Sequence, residues 1–71
     1  MTLNELKEND EFEVVDCKSP RLKEMGFFKW ACGKVVIDNG SMKSISINGY
    51  KVGVDNFESR DIIVNKKGDK E

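Results

Sequence analysis

Apolar and polar residues follow a pattern of short strands along this 71-residue chain. In five runs, apolar side chains recur at or near the two-residue period of a half-buried strand, and turn-forming residues bound each run. Short strands with tight connections are typical of small barrels, which leave few strand edges exposed. The predicted strands are residues 12–17, 35–37, 45–47, 50–54 and 62–64.

The N-terminal residues predict one helical turn before the first strand. Thr2 and Glu5 have the spacing of a capping box, in which the two side chains satisfy exposed amide groups at a helix start. Leu3 and Leu6 are three residues apart and therefore share one face of the turn. We expect both leucines to be buried.

A short helix is predicted after the first strand. Ser19 is a favourable N-cap, and Pro20 suits the first helical position, where a backbone N–H has no intrahelical partner. Leu22 and Met25 share one face of this helix, and Gly26 can adopt the positive φ that often ends a helix. The chain then continues into an aromatic run.

The C-terminal part predicts a helical turn, a strand and a tail. Residues 55–60 are too few for a long helix and lack strand alternation, so we expect a single turn with Phe57 inward. The last strand, 62–64, is rich in β-branched residues. Residues 1–64 are expected to form one domain, and residues 65–71, which contain no apolar residue, a solvated polar tail.

Residues 48–49 predict a two-residue hairpin turn of type I′, because Asn-Gly is the favoured sequence for positive φ at both positions. This turn pairs Ile47 with Tyr50 and Ile45 with Val52, which places the large apolar groups on one face.

The preceding connection contains a second Asn-Gly pair, but strand parity argues against the same turn there. A two-residue loop would place Val35 and Ile37 opposite the face that carries the two isoleucines of the next strand. A three-residue loop at 38–40, with Gly40 in the left-handed region and a bulge after the turn, restores all four to one side. We expect this bulged hairpin.

Composition and charge narrow the range of partners. Twelve Lys and Arg against thirteen Asp and Glu give a formal net charge of −1, so no basic excess favours a nucleic acid partner. A chain this short makes one domain with little room for an enclosed substrate pocket. No apolar run approaches the roughly 20 residues that cross a bilayer, and the N-terminus lacks the features of a signal peptide. We expect a cytoplasmic protein that does not insert into a membrane.

The residues that would carry catalysis are missing. The chain contains no His, which removes Ser-His-Asp and Cys-His catalytic units and imidazole metal ligands. It also lacks the phosphate-binding and dinucleotide-binding glycine patterns. The sequence therefore predicts no enzyme, no catalytic residue, no cofactor and no cofactor-binding residue.

Two groups of residues are candidates for metal ligation. Cys17 and Cys32 are too far apart in sequence for a metal knuckle or redox pair, and two buried apolar thiols are expected, with a regulatory or soft-metal thiol as the alternative. Asp55, Glu58 and Asp61 crowd one side of a turn, where a solvated acidic surface is the expectation and a cation site the alternative. No metal-binding residue is predicted.

The aromatic run after the predicted helix supports two interpretations. In the first interpretation, at least two of the three rings of Phe27, Phe28 and Trp30 belong to the core, because aliphatic residues alone would not fill and close so small a barrel. As an interface, a ring left on the surface beside Met25 would be a contact anchor. Phe27 directly follows the helix end and should turn inward, so Phe28 or Trp30 is the better candidate for exposure.

Three segments resemble the FeoA family: 21–27 (RLKEMGF), 48–54 (NGYKVGV) and 58–64 (ESRDIIV). In that family an R-L-x-x-[LM]-G-[LF] turn of helix precedes a strand pair, a Gly-Tyr corner, an acidic turn and a last I-x-V strand. The resemblance extends from Leu3 to Val64. It implies a mostly β fold, a small SH3-like five-stranded barrel with a short helix after strand 1 and a helical turn before the last strand.

The resemblance also implies a function. It points to a non-enzymatic accessory protein of ferrous iron transport that docks on the cytosolic GTPase portion of a FeoB-type membrane transporter. Alternatives are a small metal or thiol sensor, or a generic SH3-like interaction or regulatory module. Transition-metal binding comes only with the family. The candidate docking surface consists of Lys23, Met25, Phe28, Lys29 and Trp30.

Three places depart from the family pattern, and one of them is the first turn, where Asn9-Asp10 stands instead of a Gly. The family usually has a second Gly, often after Pro, a few residues beyond the helix, and residues 29–30 are Lys-Trp instead. Ser59 stands where the family tends to have Ala. The local backbone around Trp30 is therefore an open question at the level of sequence.

Overall fold

The computed structural model of this protein describes residues 1–67, in which five antiparallel strands form one sheet in the order β4-β3-β2-β1-β5. The short helix follows the first strand and the helical turn precedes the last one, so the predicted fold class is confirmed. A 3₁₀ turn, Leu3–Glu5, opens the chain. The other elements are β1 (Glu11–Cys17), α1 (Pro20–Glu24), β2 (Cys32–Asp38), β3 (Met42–Ile47), β4 (Tyr50–Asp55), α2 (Asn56–Ser59) and β5 (Ile62–Lys67).

The barrel is nearly closed rather than fully closed. The end strands β4 and β5 do not pair with each other within residues 1–67. Instead, α2 packs against β4 and against the 3₁₀ turn, and the 3₁₀ turn packs against β5. An isolated bridge between Thr2 and Ile63 continues this cover. The two helical segments thus cover the gap that the strands leave.

Alternating strand residues and the buried residues of the helical segments form one core. Phe12 and Phe27 stack inside it, with ring centroids 6.4 Å apart and an interplanar angle of 13°. The predicted burial of Leu3 and Leu6 is confirmed. The core residues are Leu3, Leu6, Phe12, Val14, Cys17, Leu22, Phe27, Ala31, Val35, Ile45, Ile47, Val52, Val54, Ile62 and Val64.

The hairpin between β3 and β4 has the predicted turn. Asn48 and Gly49 have φ values of 49° and 82°, as a type I′ turn requires. Ile47 pairs with Tyr50 and Ile45 with Val52, which confirms the predicted register. Tyr50 nevertheless leaves 52% of its surface exposed, because it lies at the end of the sheet's outermost strand.

The predicted register of the hairpin between β2 and β3 is wrong. Val35 pairs with Ile45, but the next pair is Ile37 with Ser44, so Val36 is an extra residue within β2. The bulge therefore lies inside the strand and not after the turn. Because one extra residue reverses the parity of the residues after it, Ile37 turns away from the core and is 52% exposed.

The same shift explains a buried charge. Asp38 comes opposite Lys43. The Lys43 side chain is almost fully buried, and its Nζ lies 3.0 Å from the Asp38 Oδ2. Hydrogen bonds from the Gly40 backbone and from Lys43 lower the pKa of Asp38. The predicted positive φ of Gly40 is confirmed at 94°.

The orientation of α2 differs from the prediction. The Asp55 Oδ1 accepts a hydrogen bond from the Glu58 backbone N–H at 2.7 Å, which caps the turn. Phe57, expected inward, is 79% exposed, and Ser59 is buried instead, with its Oγ 3.1 Å from the Asn4 Oδ1. Residues two apart on a helix lie about 200° apart around its axis, so only one of Phe57 and Ser59 can face the core.

The last strand is longer than predicted. β5 continues to Lys67 because residues 65–67 extend the antiparallel ladder with β1, in which Glu11 pairs with Lys67 and Glu13 with Asn65. The expected tail therefore does not begin at residue 65. Residues 68–71 of that expected tail lie outside the described residues. No helix within residues 1–67 is long and apolar enough to cross a membrane.

Candidate docking surface

The helix α1 forms as its sequence predicts. The Ser19 Oγ accepts a hydrogen bond from the Leu22 backbone N–H at 3.5 Å, and Pro20 occupies the first helical position. Leu22 is fully buried, and Met25 is half-buried against the core. Gly26 ends the helix with a φ of 118°, and a Cβ there would lie 3.2 Å from the Asn48 Cβ. The helix is thus fixed by a cap at one end and by close packing at the other.

A tight turn at residues 28–31 follows. The Ala31 backbone N–H donates to the Phe28 carbonyl at 3.0 Å, and Trp30, the third residue of the turn, has a φ of 73°. A positive φ at this position is typical of a type II turn, for which Gly is the usual residue. In this chain a bulky residue, Trp30, occupies that position. The left-handed conformation costs a non-Gly residue about 1–2 kcal/mol.

The turn is anchored to the sheet by its backbone. The Trp30 N–H donates to the Val14 carbonyl at 2.7 Å, and the Val14 N–H donates to the Ala31 carbonyl at 2.8 Å. This pair of bonds replaces strand pairing at the point where the ladder between β1 and β2, which covers Glu11–Glu13, has stopped. Since the backbone lies within hydrogen-bonding distance of β1, no space remains beneath it for a large ring.

Only one of the three rings of the aromatic run is buried. Phe27 is fully buried, as predicted from its place after the helix end, whereas Phe28 is 47% and Trp30 57% exposed. The expectation that at least two rings belong to the core is therefore wrong. The alternative expectation, that Phe28 or Trp30 is exposed, is confirmed for both rings.

A groove of about 590 Å³ lies beside the Phe28 ring. Its position coincides with the second half of β1, which has no pairing with β2. Lys23 and Lys29 of the candidate docking surface lie at the groove and are exposed. The lining residues are Val15, Asp16, Cys17, Lys23, Phe28 and Lys29.

The cations near the groove differ in their partners. Arg21 pairs with Glu58 through two contacts, Nη2 to Oε1 at 2.6 Å and Nε to Oε2 at 3.1 Å, and this hydrogen bonding raises the pKa of Arg21. Lys23 and Lys29 have no salt-bridge partner among residues 1–67. The Lys29 Nζ lies 5.2 Å from the centroid of the Trp30 ring, which is cation–π distance.

The two cysteines occupy different environments. Cys17 is buried as predicted, its Sγ lies 3.5 Å from the Ser19 carbonyl, and burial raises the pKa of its thiol. Cys32, expected to be buried, is exposed, with its Sγ 3.4 Å from the Lys67 Nζ. The difference arises because Cys32 begins β2 with its side chain on the outward face.

The acidic turn at α2 is occupied by contacts within the protein. Asp55 caps the helix and Glu58 pairs with Arg21, so two of the three candidate carboxylate ligands have partners. Within residues 1–67, no three His, Cys, Asp or Glu side chains are grouped so that they could hold a metal ion.

Sequence reasoning missed part of this site. Of the predicted surface, Lys23, Phe28 and Lys29 line the groove, whereas Met25 and Trp30 do not. The prediction did not include the β1 residues that complete the groove, which are Val15, Asp16 and Cys17. A register shift between Val14 and Asp16 in the pairing with β5 makes Val15 an extra residue in β1. No local sequence signal marks such a bulge, because it depends on how two distant strands pair.

Comparison with known proteins is informative only at the level of structure. No protein-family model and no curated protein sequence matches the chain. The solution NMR structure of the FeoA protein from Chlorobium tepidum has a TM-score of 0.89 and 27% sequence identity, and the match covers 100% of this chain and 74% of that chain.

Two further solved structures share the fold. The NMR structure of a FeoA-like protein from Clostridium acetobutylicum has a TM-score of 0.87 and 15% identity, with 100% of this chain and 91% of that chain covered. A crystal structure described as an iron uptake regulatory protein (FeoA) has a TM-score of 0.81 and 23% identity, with 93% and 94% covered. The resemblance to the FeoA family that was identified from residues 21–27, 48–54 and 58–64 is thereby confirmed by three FeoA or FeoA-like structures.

Proposed function

We propose that this protein is a non-enzymatic accessory protein of ferrous iron transport, which acts in the cytoplasm by docking on the cytosolic GTPase portion of a FeoB-type transporter. The similarity to FeoA proteins supports an iron-transport role. Because a small barrel can serve many functions, the fold alone does not indicate docking, and the support for docking comes from the surface residues.

One observation carries the proposal: the turn at residues 28–31 holds two large rings outward, and the helix before it ends at a half-buried methionine. Phe28 and Trp30 are 47% and 57% exposed, and Met25 packs next to the core. Exposed aromatic and Met side chains on a fixed backbone are typical anchors of protein interfaces. Lys23 and Lys29 form the polar rim that such interfaces have.

The backbone at Trp30 adds a second argument. A Gly at this position would adopt a φ of 73° without the strain that a bulky residue has there. Strained residues persist where the surrounding structure holds them, and they cluster at functional sites. A role for the ring itself would account for Trp at a position whose geometry favours Gly.

The test is a titration of the protein against the transporter's cytosolic GTPase portion. Phe28→Ala and Trp30→Ala should each weaken binding by at least about 1 kcal/mol, roughly fivefold, while the variants stay folded. Phe57→Ala is the matched control, since it removes an even more exposed ring from the other helical segment. If the Phe28 and Trp30 variants bind like the parent protein and thermal melts show that they are folded, the proposed docking surface is wrong.

A further inference from the structure

We infer that the groove beside the docking surface binds a short acidic segment of a partner protein. An apolar side chain of that segment would lie against Phe28, and its carboxylates would pair with Lys23 and Lys29. The inference rests on the proposed docking function, and it adds the chemistry of the segment that docks.

The distribution of charge is the first argument. Residues 18–30 contain four of the twelve cationic residues and one of the thirteen acidic ones, a formal charge of +3, so the rest of the chain carries −4. The chain as a whole is slightly acidic, but this segment is cationic, and two of its four cations, Lys23 and Lys29, line the groove. Such segregation steers an anionic partner to one face.

The pairing of these cations is the second argument. Arg21 is already held by Glu58, whereas Lys23 and Lys29 have no salt bridge among residues 1–67. Both lysines line the groove together with a single carboxylate, Asp16. A partner carboxylate is attracted to the two ammonium groups and repelled by Asp16, so it should bind at the lysine side of the groove.

The apolar lining is the third argument. Phe28 presents about half of its ring, and Val15 and Cys17 lie at the β1 side of the groove. A small inorganic anion would leave this apolar surface in contact with water, whereas an apolar side chain would cover it. The combination of an exposed ring with two lysines that have no salt bridge among residues 1–67 therefore fits an acidic segment that also carries an apolar residue.

The experiment is an NMR titration of the ¹⁵N-labelled full chain with synthetic peptides. The probe is a hexapeptide with two Glu on each side of a Leu-Phe pair. One control peptide replaces every Glu with Lys, and another replaces the Leu-Phe pair with two Ala. The probe should shift the signals of Val15, Lys23 and Phe28, and both control peptides should bind more weakly by at least about fivefold, the size of one good interface contact.

Charge-reversal variants separate local pairing from net charge. Lys23→Glu and Lys29→Glu should each lower the affinity for the probe peptide by about fivefold or more, and added salt should reduce this effect. Lys34→Glu and Lys51→Glu are the matched controls, because these exposed lysines lie on β2 and β4 and change the net charge equally. We expect both control variants to bind the probe with nearly unchanged affinity.

The outcomes distinguish this inference from the proposed function. Absence of peptide binding, equal binding of the Ala peptide, or equal loss in all four lysine variants overturns the inference. Binding of the GTPase portion that requires Phe28 and Trp30 but neither Lys23 nor Lys29 also overturns it and leaves the proposed function in place. Peptide binding as expected, with no binding of the GTPase portion, supports the inference and overturns the proposed partner.

Discussion

The regions around α1 and α2 both consist of a short capped helix that exposes a large aromatic ring. Ser19 caps one and Asp55 the other, and the Arg21–Glu58 pair joins them. They differ in what lies beneath the exposed rings. The α1 region buries Leu22 and Phe27 and bonds its backbone to β1, whereas the only buried residue of α2 itself is Ser59.

This difference teaches that an exposed ring is not by itself a site. Phe57 is the more exposed ring at 79%, but its neighbours in sequence include three acidic residues, and it does not line the groove beside Phe28. Phe28 lines a groove together with two lysines that have no salt bridge among residues 1–67, and Trp30 in the same turn has a strained backbone conformation. The two regions should therefore respond differently to substitution.

The largest contrast is expected in stability. Phe27→Ala removes a fully buried ring that stacks on Phe12, and it should lower the free energy of unfolding by about 3–5 kcal/mol. Phe57→Ala removes a solvated ring and should change the free energy of unfolding by less than about 0.5 kcal/mol. Urea denaturation measures both, and similar midpoints for the two variants would show that α2 contributes to the core.

Trp30 allows a test of the strained turn. Trp30→Gly and Trp30→Ala both remove the ring, but only Gly adopts a φ of 73° without strain. The Gly variant should be the more stable of the two by about 1 kcal/mol, and both should lose partner binding equally. Phe57→Gly and Phe57→Ala are the control pair, in which Gly should be the less stable because position 57 is helical. Thermal melts that give the same rank order at both positions would contradict the assigned turn.

A smaller effect is expected from the pair that joins the two regions. Arg21→Ala, Glu58→Ala and the double variant form a cycle around an ion pair with a 2.6 Å contact. We expect denaturation to give a modest positive coupling that about 1 M salt largely removes, since both side chains are partly exposed. A coupling that is unchanged by salt would mean that the contact is mainly packing and not electrostatic.

The smallest expected effect is that of metal ions on the acidic α2 region. Because Asp55 and Glu58 already have partners, Fe²⁺ or Zn²⁺ should bind no more tightly than to scattered surface carboxylates. Calorimetry tests this directly. A stoichiometric, tight site that disappears in Asp61→Asn would make α2 the functional region, and one that disappears in Cys17→Ser or Cys32→Ser would favour a thiol sensor.

Much of the fold could be predicted because the relevant signals are local. The capping residue Ser19, the helix-ending Gly26 and the turn at residues 48–49 each fix a few dihedral angles through their own chemistry. The predictions that failed depend on pairing between distant segments. The position of the bulge at Val36 is decided by how β2 and β3 align, and the orientation of Phe57 by how α2 packs on the 3₁₀ turn.

The candidate surface shows the same division. The sequence indicated that residues 21–30 have more large apolar groups than one short turn can bury, and it selected Lys23, Met25, Phe28, Lys29 and Trp30. It left open how many of the rings face outward, because the hydrogen bonds between the turn and Val14 decide this. The groove lies where β1 and β2 are no longer paired, beyond Glu13.

By itself, then, the sequence determined the fold class, the resemblance to the FeoA family, the absence of His chemistry and the segment in which to look for a partner site. These properties depend on local conformational preferences, strand periodicity and residue identity, which a single chain displays directly. The tertiary structure decided which rings are exposed, which cations of residues 1–67 lack a salt bridge and where a groove opens. Those properties arise from contacts between residues far apart in the chain. In a strand, a one-residue change of register is enough to move a side chain from the buried face to the exposed face.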